Sequence, residues 1–243
     1  MGIDRDKFFR RCRVISLRRR EDRRDAFKKR LDEVFENADW GYGGFRWFFG
    51  FDGARLTKPA GHFPPSGAFG CAFSHVAAWA SILNEIDPDD PKSGEDPCLF
   101  FEDDAYFCDR FPENLEVVLK NVPDDWEIFY LGGEILTGRP LPKEVALGVC
   151  RAQNVNRLHA YAVKARALPK LFHRILAYLS NAPQRSGPSG EESCFDYEVG
   201  RMCEEGELVA YCSKPWLVGQ GGFGSDTYPN SDALARQVRF FQY

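Results

Sequence analysis

Leu99-Phe100-Phe101-Glu102-Asp103-Asp104 is an apolar run that ends abruptly in three consecutive carboxylates. The run has the length of a buried strand, and the acids then fall at its carboxyl end, where open α/β sheets bind ligands. Three adjacent carboxylates repel one another, so a fold that gathers them usually supplies a cation. Because oxygen ligands suit Mg²⁺, Mn²⁺ or Ca²⁺, the run predicts a hard-metal site that holds a phosphate-bearing substrate. A solvated acidic turn at a strand end is the alternative.

Strand and helix patterns alternate on both sides of this run. Residues 13–17 predict a first strand, and residues 21–36 predict a helix with apolar side chains at helical spacing. Further predicted strands cover residues 45–51, 127–131, 160–163 and 208–211, and further helices cover residues 70–86, 111–122 and 165–179. Gly132-Gly133 is expected to close the strand before it. This order predicts the α/β class, with a mostly parallel central sheet flanked by helices in a single domain over residues 1–243.

The composition excludes some classes of protein. Hydrophobic residues make up 44% of the 243 residues and aromatic residues 14%, which is enough for a substantial core. A formal net charge of −4 argues against a polyanion-binding protein, so no nucleic-acid partner is expected. Arginines crowd residues 10–24, where they predict either a solvated helix face or contact with an anionic ligand or a membrane surface.

The cysteines and the apolar segments indicate where in the cell the protein is expected. None of the 8 cysteines has the spacing of a zinc site, which favours reduced thiols in a cytoplasmic protein. The chain opens without the apolar region of a signal peptide, and no apolar stretch is judged to approach transmembrane length. We therefore expect no transmembrane segment, with peripheral membrane contact through the basic N-terminus as an option.

Three further groups of residues carry candidate chemistry. Ser74-His75 lies inside a predicted helix, where a lone histidine is more often a satisfied core residue than a catalyst. Asp196 and Glu198 are predicted to share a face of an extended segment, where either is a candidate general base and a surface acid pair is the simpler interpretation. Residues 219–226 are rich in glycine and could fold over phosphates, but they match no P-loop.

Several motifs occur in a fixed order along the chain. They are Val14-Ile15-Ser16-Leu17 with Arg19, Asp22 and Arg23; Asp52-Gly53; Gly70-Cys71-Ala72-Phe73-Ser74-His75 with Trp79; Phe101-Glu102-Asp103-Asp104-Ala105; Tyr130-Leu131-Gly132; Ala160-Tyr161; and the late residues Asp196, Pro215, Gln220, Ser225 and Asp226. Taken together, these motifs resemble glycosyltransferase family 25, the group of lipopolysaccharide glycosyltransferases and procollagen galactosyltransferases. The resemblance covers residues 14–226.

The resemblance implies a GT-A fold, with a donor-site half at about residues 13–135 and an acceptor-side half at about residues 136–243. It also implies inverting transfer of galactose or glucose from a UDP-sugar to a hydroxyl of a glycan, lipid-linked or protein-linked acceptor. Because the chain is short and shows no secretory signal, a bacterial-type lipid-linked or lipopolysaccharide glycan is the favoured acceptor. The implied cofactor is Mn²⁺ or Mg²⁺.

The resemblance also assigns roles to residues. Asp104 is the expected metal ligand, Asp103 assists it, and Glu102 completes the acidic set or orients the ribose. The resemblance does not settle the base, for which the residues themselves make Asp196 the first candidate and Glu198 the second. The residues expected to hold the nucleotide-sugar are Ile15, Ser16, Leu17, Arg23, Asp52, Gly53, Ser74, His75, Glu102, Asp103, Gln220 and Ser225.

Two other function classes stay open from the sequence. One is a catalytically inactive module that binds a nucleotide-sugar on the same fold. The other is a metal-dependent phosphohydrolase built on the same acids, which would leave the Ser74-His75 helix without a function.

Overall fold

The computed structural model describes residues 3–35, 44–57, 66–87, 89–90, 92–135, 140–181, 194–221 and 226. The helices are α1 (Arg5–Arg10), α2 (Glu21–Phe35), α3 (Ser66–Leu83), α4 (Phe111–Asn121), α5 (Leu168–Asn181) and α6 (Phe195–Glu204). The strands are β1 (Cys12–Ser16), β2 (Phe45–Phe49), β3 (Pro97–Glu102), β4 (Ala105–Phe107), β5 (Ile128–Ile135), β6 (Lys143–Ala146), β7 (Val149–Arg151), β8 (Val155–Lys164), β9 (Ala210–Ser213) and β10 (Val218–Gln220). Short 3₁₀ helices cover Gly53–Arg55, Ser93–Glu95 and Ala165–Ala167.

One large sheet organises these elements. Its eight strands lie in the order β2-β1-β3-β8-β5-β9-β7-β6, and β4 pairs with β10 in a separate two-stranded sheet. β7 and β8 run against their neighbours, so six of the eight strands in the described part of the chain point the same way. This confirms the predicted fold class, α/β with a mostly parallel central sheet flanked by helices. It also puts β3 near the middle of the sheet.

Alternating side chains of the central strands supply two hydrophobic cores, one on each face of the sheet. On one face, Phe100 and Tyr130 pack with apolar residues of α3, α5 and α6. On the other face, Phe101 and Leu131 pack with apolar residues of α1, α2 and α4. A strand buried on both faces needs a continuous apolar run, which is why residues 99–101 carry no polar side chain.

Helix α3 belongs to the core. By length and composition it is apolar enough to cross a membrane, so the expectation that no stretch reaches that length is wrong. However, 56% of the helix is buried inside the fold, and Trp79 and Ile82 are completely buried. Length alone is weak evidence for a membrane span, because a long core helix meets the same criterion.

A close approach of two glycines fixes α3 against the turn that follows β2. A Cβ on Gly70 would lie only 2.5 Å from the Gly53 nitrogen and 2.7 Å from the Phe51 oxygen. The Ser74 hydroxyl adds a tie, since it accepts the Phe51 N–H at 2.8 Å and donates to the Gly70 carbonyl at 2.6 Å. Because only glycine permits this approach, the motif brings Asp52 to the carboxyl end of the sheet.

The prediction that Gly132-Gly133 closes strand β5 is wrong. The strand continues to Ile135, with shifts in its register against β8 around Gly132. A Cβ on Gly132 would lie 2.2 Å from the Val218 oxygen, so the missing side chain lets β10 pass closely. The longer strand carries Glu134 to the same edge of the sheet as the acids after β3.

The sequence patterns also missed several short elements. Helix α1 and strands β4, β6, β7 and β10 each have six residues or fewer and no clear periodicity. The glycine-rich residues 219–226 begin as part of β10, so they are not a loop throughout.

Candidate active site

The three acids lie at the carboxyl end of β3 and they are buried. Asp103 is 4% exposed and Asp104 is 7% exposed. The Asp103 N–H donates to the Ile15 carbonyl at 3.0 Å, which ties the turn after β3 to the end of β1. This burial contradicts the alternative of a solvated acidic turn.

Two buried arginines of α2 offset the negative charge. Arg23 Nη1 lies 3.0 Å from Asp103 Oδ1 and 3.5 Å from Asp104 Oδ2. Arg30 donates to the backbone carbonyls of Ala105 and Asp103, at 3.1 and 3.2 Å. Arg23 belongs to the arginine-rich run at residues 10–24 and Arg30 lies beyond it. They are 7% and 9% exposed, so neither belongs to a solvated helix face.

The Asp104 carboxyl keeps one oxygen without a hydrogen-bond partner. Gln220 Nε2 donates to Oδ2 at 3.3 Å, whereas Oδ1 is buried and has no partner among the described residues. Burial, together with the charge of Glu102, raises the pKa of Asp104 to about 7 despite the opposing charge of Arg23. Burial likewise raises the pKa of Asp103. A paired set of desolvated carboxylates with an unused oxygen fits a hard divalent cation.

The Glu102 side chain contacts α3. Its Oε1 lies 3.2 Å from His75 Nε2 and 3.6 Å from Cys71 Sγ. Glu102 thus has partners on α3 that the two aspartates lack, while its charge still acts on Asp104. A place for Glu102 in the metal-binding set stays a prediction.

A chain of hydrogen-bond contacts joins Trp79, Tyr161, His75 and Glu102. Trp79 Nε1 can only donate, and it lies 2.8 Å from the Tyr161 hydroxyl oxygen. The Tyr161 hydroxyl then donates its own proton to His75 Nδ1, which lies 2.8 Å away. In the neutral tautomer that completes this chain, His75 Nε2 donates to Glu102. Burial acts to raise the pKa of Glu102, but the hydrogen bond with His75 outweighs it, so the Glu102 pKa lies below its usual value.

The cluster of Cys71, His75 and Glu102 also has the composition of a metal site, because its three ligand atoms lie within 4.8 Å of one another. The hydrogen-bond chain gives these atoms another use, since the His75 Nε2 proton is directed at Glu102. We therefore describe the cluster as the support that orients Glu102.

A cavity beside these residues brings together most of the predicted nucleotide-binding set. Its lining includes Ile15, Ser16, Leu17, Arg23, Asp52, Gly53, Ser74, His75, Glu102 and Asp103, together with Phe51, Gly67, Cys71 and Asp226. The Asp52 side chain accepts the Ala54 N–H at 3.2 Å and so begins the 3₁₀ helix after β2. Ser225 lies outside the described residues. Nucleotide binding by these residues stays a prediction.

The two base candidates are placed differently from what was predicted. Asp196 and Glu198 lie in the first turn of α6, so the prediction of an extended segment is wrong. Residues two apart on a helix point to different sides, and the two acids have different partners.

Asp196 is held by backbone groups. Its Oδ2 accepts the Arg157 N–H at 3.0 Å, and its Oδ1 accepts the Tyr197 N–H at 3.1 Å. Burial raises the pKa of Asp196, although these hydrogen bonds and the Arg157 charge oppose it. A carboxylate with a raised pKa is a better proton acceptor at neutral pH than an ordinary surface acid.

Glu198 is instead part of an ion-pair network between α5 and α6. Arg174 Nε donates to its Oε1 at 2.7 Å, and Arg201 Nε donates to its Oε2 at 2.8 Å. Burial acts to raise the pKa of Glu198, but the two arginines outweigh it and lower the pKa. The structure therefore gives Glu198 a role in packing α6 and does not bring it to the acids after β3.

Sequence reasoning missed Arg157, which links the base candidate to the acidic cluster. Arg157 has a φ of +68°, a conformation that costs free energy in a non-glycine residue. Its Nε donates to Glu134 at 2.7 Å and its Nη1 donates to Gln220 Oε1 at 3.0 Å. Since Gln220 in turn donates to Asp104, a continuous path of contacts runs from Asp196 to Asp104. Only the unusual φ marks Arg157, and a sequence does not display φ.

With this geometry in view, comparison with known families is informative. A family model described as glycosyltransferase family 25 (LPS biosynthesis protein) matches residues 10–139. This is more than half of the chain, and it spans β1, the Asp52-Gly53 turn, α3 and the acids after β3. The match defines the class of protein as a glycosyltransferase. More narrowly, the chain belongs to glycosyltransferase family 25, as its motifs predicted.

Two individual proteins are also similar. One is a protein of Acanthamoeba polyphaga mimivirus named "Putative glycosyltransferase R655", which is 31% identical over 129 residues. That match covers 49% of this chain and 36% of the mimivirus protein, so the chain spans about a third of that relative. The other is a solved glycosyltransferase involved in glycosylation of the major capsid of PBCV-1, with 9% identity and a TM-score of 0.39 over 84% of this chain and 92% of that chain.

Proposed function

We propose that this protein transfers galactose or glucose from a UDP-sugar to a hydroxyl of a glycan acceptor, with inversion and with Mn²⁺ or Mg²⁺ as cofactor. The observation that carries the proposal is the buried Asp104 carboxyl, with its unpartnered Oδ1, beside the cavity lined by β1 and α3. Membership of family 25 supplies the reaction class, and the family's description favours a lipopolysaccharide-type acceptor.

The cation-binding residues in this proposal are Asp104 and Asp103. A divalent cation bound there supplies Lewis-acid stabilisation of the diphosphate leaving group. Arg23 adds a fixed positive charge at the same point, because it contacts both carboxylates. Glu102 has one oxygen held by His75, which leaves its second oxygen to accept a hydroxyl of the nucleotide ribose.

The base in this proposal is Asp196. A single displacement forms the bond from the acceptor oxygen to the anomeric carbon as the bond to the UDP oxygen breaks. The acceptor proton passes to Asp196, whose position is fixed by the Arg157 and Tyr197 N–H groups. The hydrogen bonds through Arg157 and Gln220 connect the Asp196 carboxylate to Asp104 and so limit how far the two can move apart.

The proposal is tested by a screen of UDP-sugars. We expect slow hydrolysis of one UDP-hexose without an acceptor, activated by Mn²⁺ and abolished by EDTA, and faster turnover with a glycan acceptor. UDP binding without turnover of any sugar would instead indicate an inactive binding module. Cleavage of a generic phosphoester such as p-nitrophenyl phosphate at a higher rate would indicate a phosphohydrolase.

Asp196→Asn is expected to lower kcat by about 10²–10⁴-fold with little change in the KM for the donor, because the amide cannot accept the acceptor proton. Steady-state transfer kinetics over a range of pH check this, and the acidic limb of the rate profile should disappear with the carboxylate. Glu198→Gln is the matched control. It should lower thermal stability, since it weakens the α5–α6 ion pairs, and reduce kcat far less. A similar fall in kcat for both variants would remove Asp196 from the role of base.

A cytoplasmic location with peripheral membrane contact stays a prediction.

A further inference from the structure

Three arginines after β1 converge on one carboxylate. Arg19 Nη2 lies 2.8 Å from Asp226 Oδ1, and Arg20 Nη1 lies 2.6 Å from Asp226 Oδ2. Arg23 Nη2 lies 3.5 Å from the same Oδ2. Asp226 also lines the cavity that holds the predicted nucleotide-binding residues. One carboxylate thus receives three guanidinium groups from a stretch of five residues.

Other acids hold two of these arginines through different nitrogen atoms. Arg19 Nε donates to Asp52 Oδ2 at 2.8 Å. Arg20 donates through Nε and Nη2 to the two oxygens of Asp22, each at 2.9 Å. Asp52 and Asp22 therefore orient the guanidinium groups of Arg19 and Arg20 without help from Asp226. The Arg19 Nη2 and Arg20 Nη1 groups then both point to the position that the Asp226 carboxylate occupies. This is a preorganised site for an anion.

The third arginine joins this place to the acids after β3. Arg23 Nη1 contacts Asp103 and Asp104, while Nη2 of the same guanidinium faces Asp226. An anion in the position of the Asp226 carboxylate therefore lies one guanidinium away from the two aspartates. A diphosphate that contacts a cation at Asp104 would reach this position with its other oxygens.

We propose that Arg19, Arg20 and Arg23 form a binding site for the diphosphate group of a nucleotide, and that Asp226 competes with the diphosphate for the same N–H groups. This rests on the proposed function for the identity of the nucleotide. A planar guanidinium matches phosphate and carboxylate oxygens equally well in geometry. A diphosphate carries more charge than one carboxylate and displaces it. Asp226 is thus an internal competitor that weakens donor and product binding, which favours release of the nucleotide after transfer.

The experiment compares Asp226→Asn with Asp22→Asn by calorimetry in EDTA. Both changes remove one negative charge beside Arg20, but only Asp226 occupies the point of convergence. We expect Asp226→Asn to lower the Kd for inorganic pyrophosphate and for UDP by about tenfold, and Asp22→Asn to change either Kd by less than threefold. Uridine, which has no phosphate, should bind equally to all proteins. Arg20→Gln, with Asp226 in place, should weaken pyrophosphate binding.

Other results would overturn the proposal. Unchanged or weaker pyrophosphate binding by a folded Asp226→Asn protein would make Asp226 a structural partner of the arginines. An equal gain in Asp22→Asn would show a general charge effect. If Asp226→Asn does not fold, the same test is made with Asp226→Ser, which should bind pyrophosphate more tightly, and with Arg20→Gln, which should bind it more weakly. Binding of pyrophosphate requires no sugar transfer, so tighter binding without turnover of any UDP-sugar would support this site and reject the proposed function.

Discussion

Asp104→Asn is expected to lower metal-dependent sugar transfer by about 10³-fold, because a Lewis-acid contribution is worth several kcal/mol and each 1.4 kcal/mol is about tenfold in rate. The amide keeps the shape of the side chain and the contact with Gln220, but it is a poor ligand for Mn²⁺. Mn²⁺ should also raise the melting temperature of the wild type and not of the variant, since a ligand specific for the native state stabilises it.

The same variant is expected to be more stable than the wild type when no metal is present. The raised pKa, about 7, means that native Asp104 binds a proton more tightly than the unfolded chain does. Wild-type stability therefore falls as the pH rises from about 4 to about 7, and the variant lacks this loss. Three pKa units correspond to at most about 4 kcal/mol at pH 8.

Asp109→Asn is the control for both measurements. Asp109 is an exposed aspartate in the same segment of the chain, so its replacement should change neither the metal response nor the pH dependence. Denaturant unfolding in EDTA at pH 5 and pH 8 measures the pH dependence of stability. A thermal shift with Mn²⁺ measures the response to metal. An Asp104→Asn protein that keeps the Mn²⁺ shift and the transfer rate would remove Asp104 from the metal site.

Arg23→Met is expected to destabilise the protein by about 3–5 kcal/mol at pH 8, because removal of one partner leaves buried charge uncompensated. Arg23 is 7% exposed and contacts Asp103, Asp104 and Asp226. The loss should shrink as the pH falls toward 4, because Asp103 and Asp104, whose pKa values are raised, take up protons and need no partner. Chemical denaturation across this range measures it.

The matched control is Arg110→Met. Arg110 is a surface residue whose contact with Glu113 spans one helical turn, and its side chain is 77% exposed. Such pairs contribute about 0–1 kcal/mol, so the control should stay close to the wild type. Mn²⁺ should restore part of the stability of Arg23→Met, since it supplies positive charge to the same carboxylates. A pH-independent loss that Mn²⁺ does not reduce would show that Arg23 acts through packing alone.

The sequence predicted the α/β class because its signals are local. An apolar run of strand length, or apolar side chains repeated at helical spacing, can each be recognised within about twenty residues. The order of motifs predicted the family, which the match to residues 10–139 confirmed. Glycines were harder to interpret, since Gly132 looks like a strand end in sequence but permits a close crossing by β10 in three dimensions.

Side-chain partnerships could not be predicted in the same way. Glu198 and Asp196 are both candidate bases in sequence, and their contacts differ because α6 turns one toward Arg174 and the other toward the Arg157 N–H. The arginine run predicted a solvated face or contact with an anionic ligand or a membrane surface, and the sequence did not show that Arg19 and Arg20 pair with Asp226, about two hundred residues away.

By itself, the sequence determined that Glu102, Asp103 and Asp104 follow a buried strand of an α/β sheet in a family 25 glycosyltransferase. The tertiary structure decided that Glu102 joins His75 while Asp103 and Asp104 join Arg23, and that Asp226 faces three arginines. The physical reason is that burial and charge pairing depend on which strands and helices pack together. Those contacts join residues far apart in the chain, so the local pattern does not specify them.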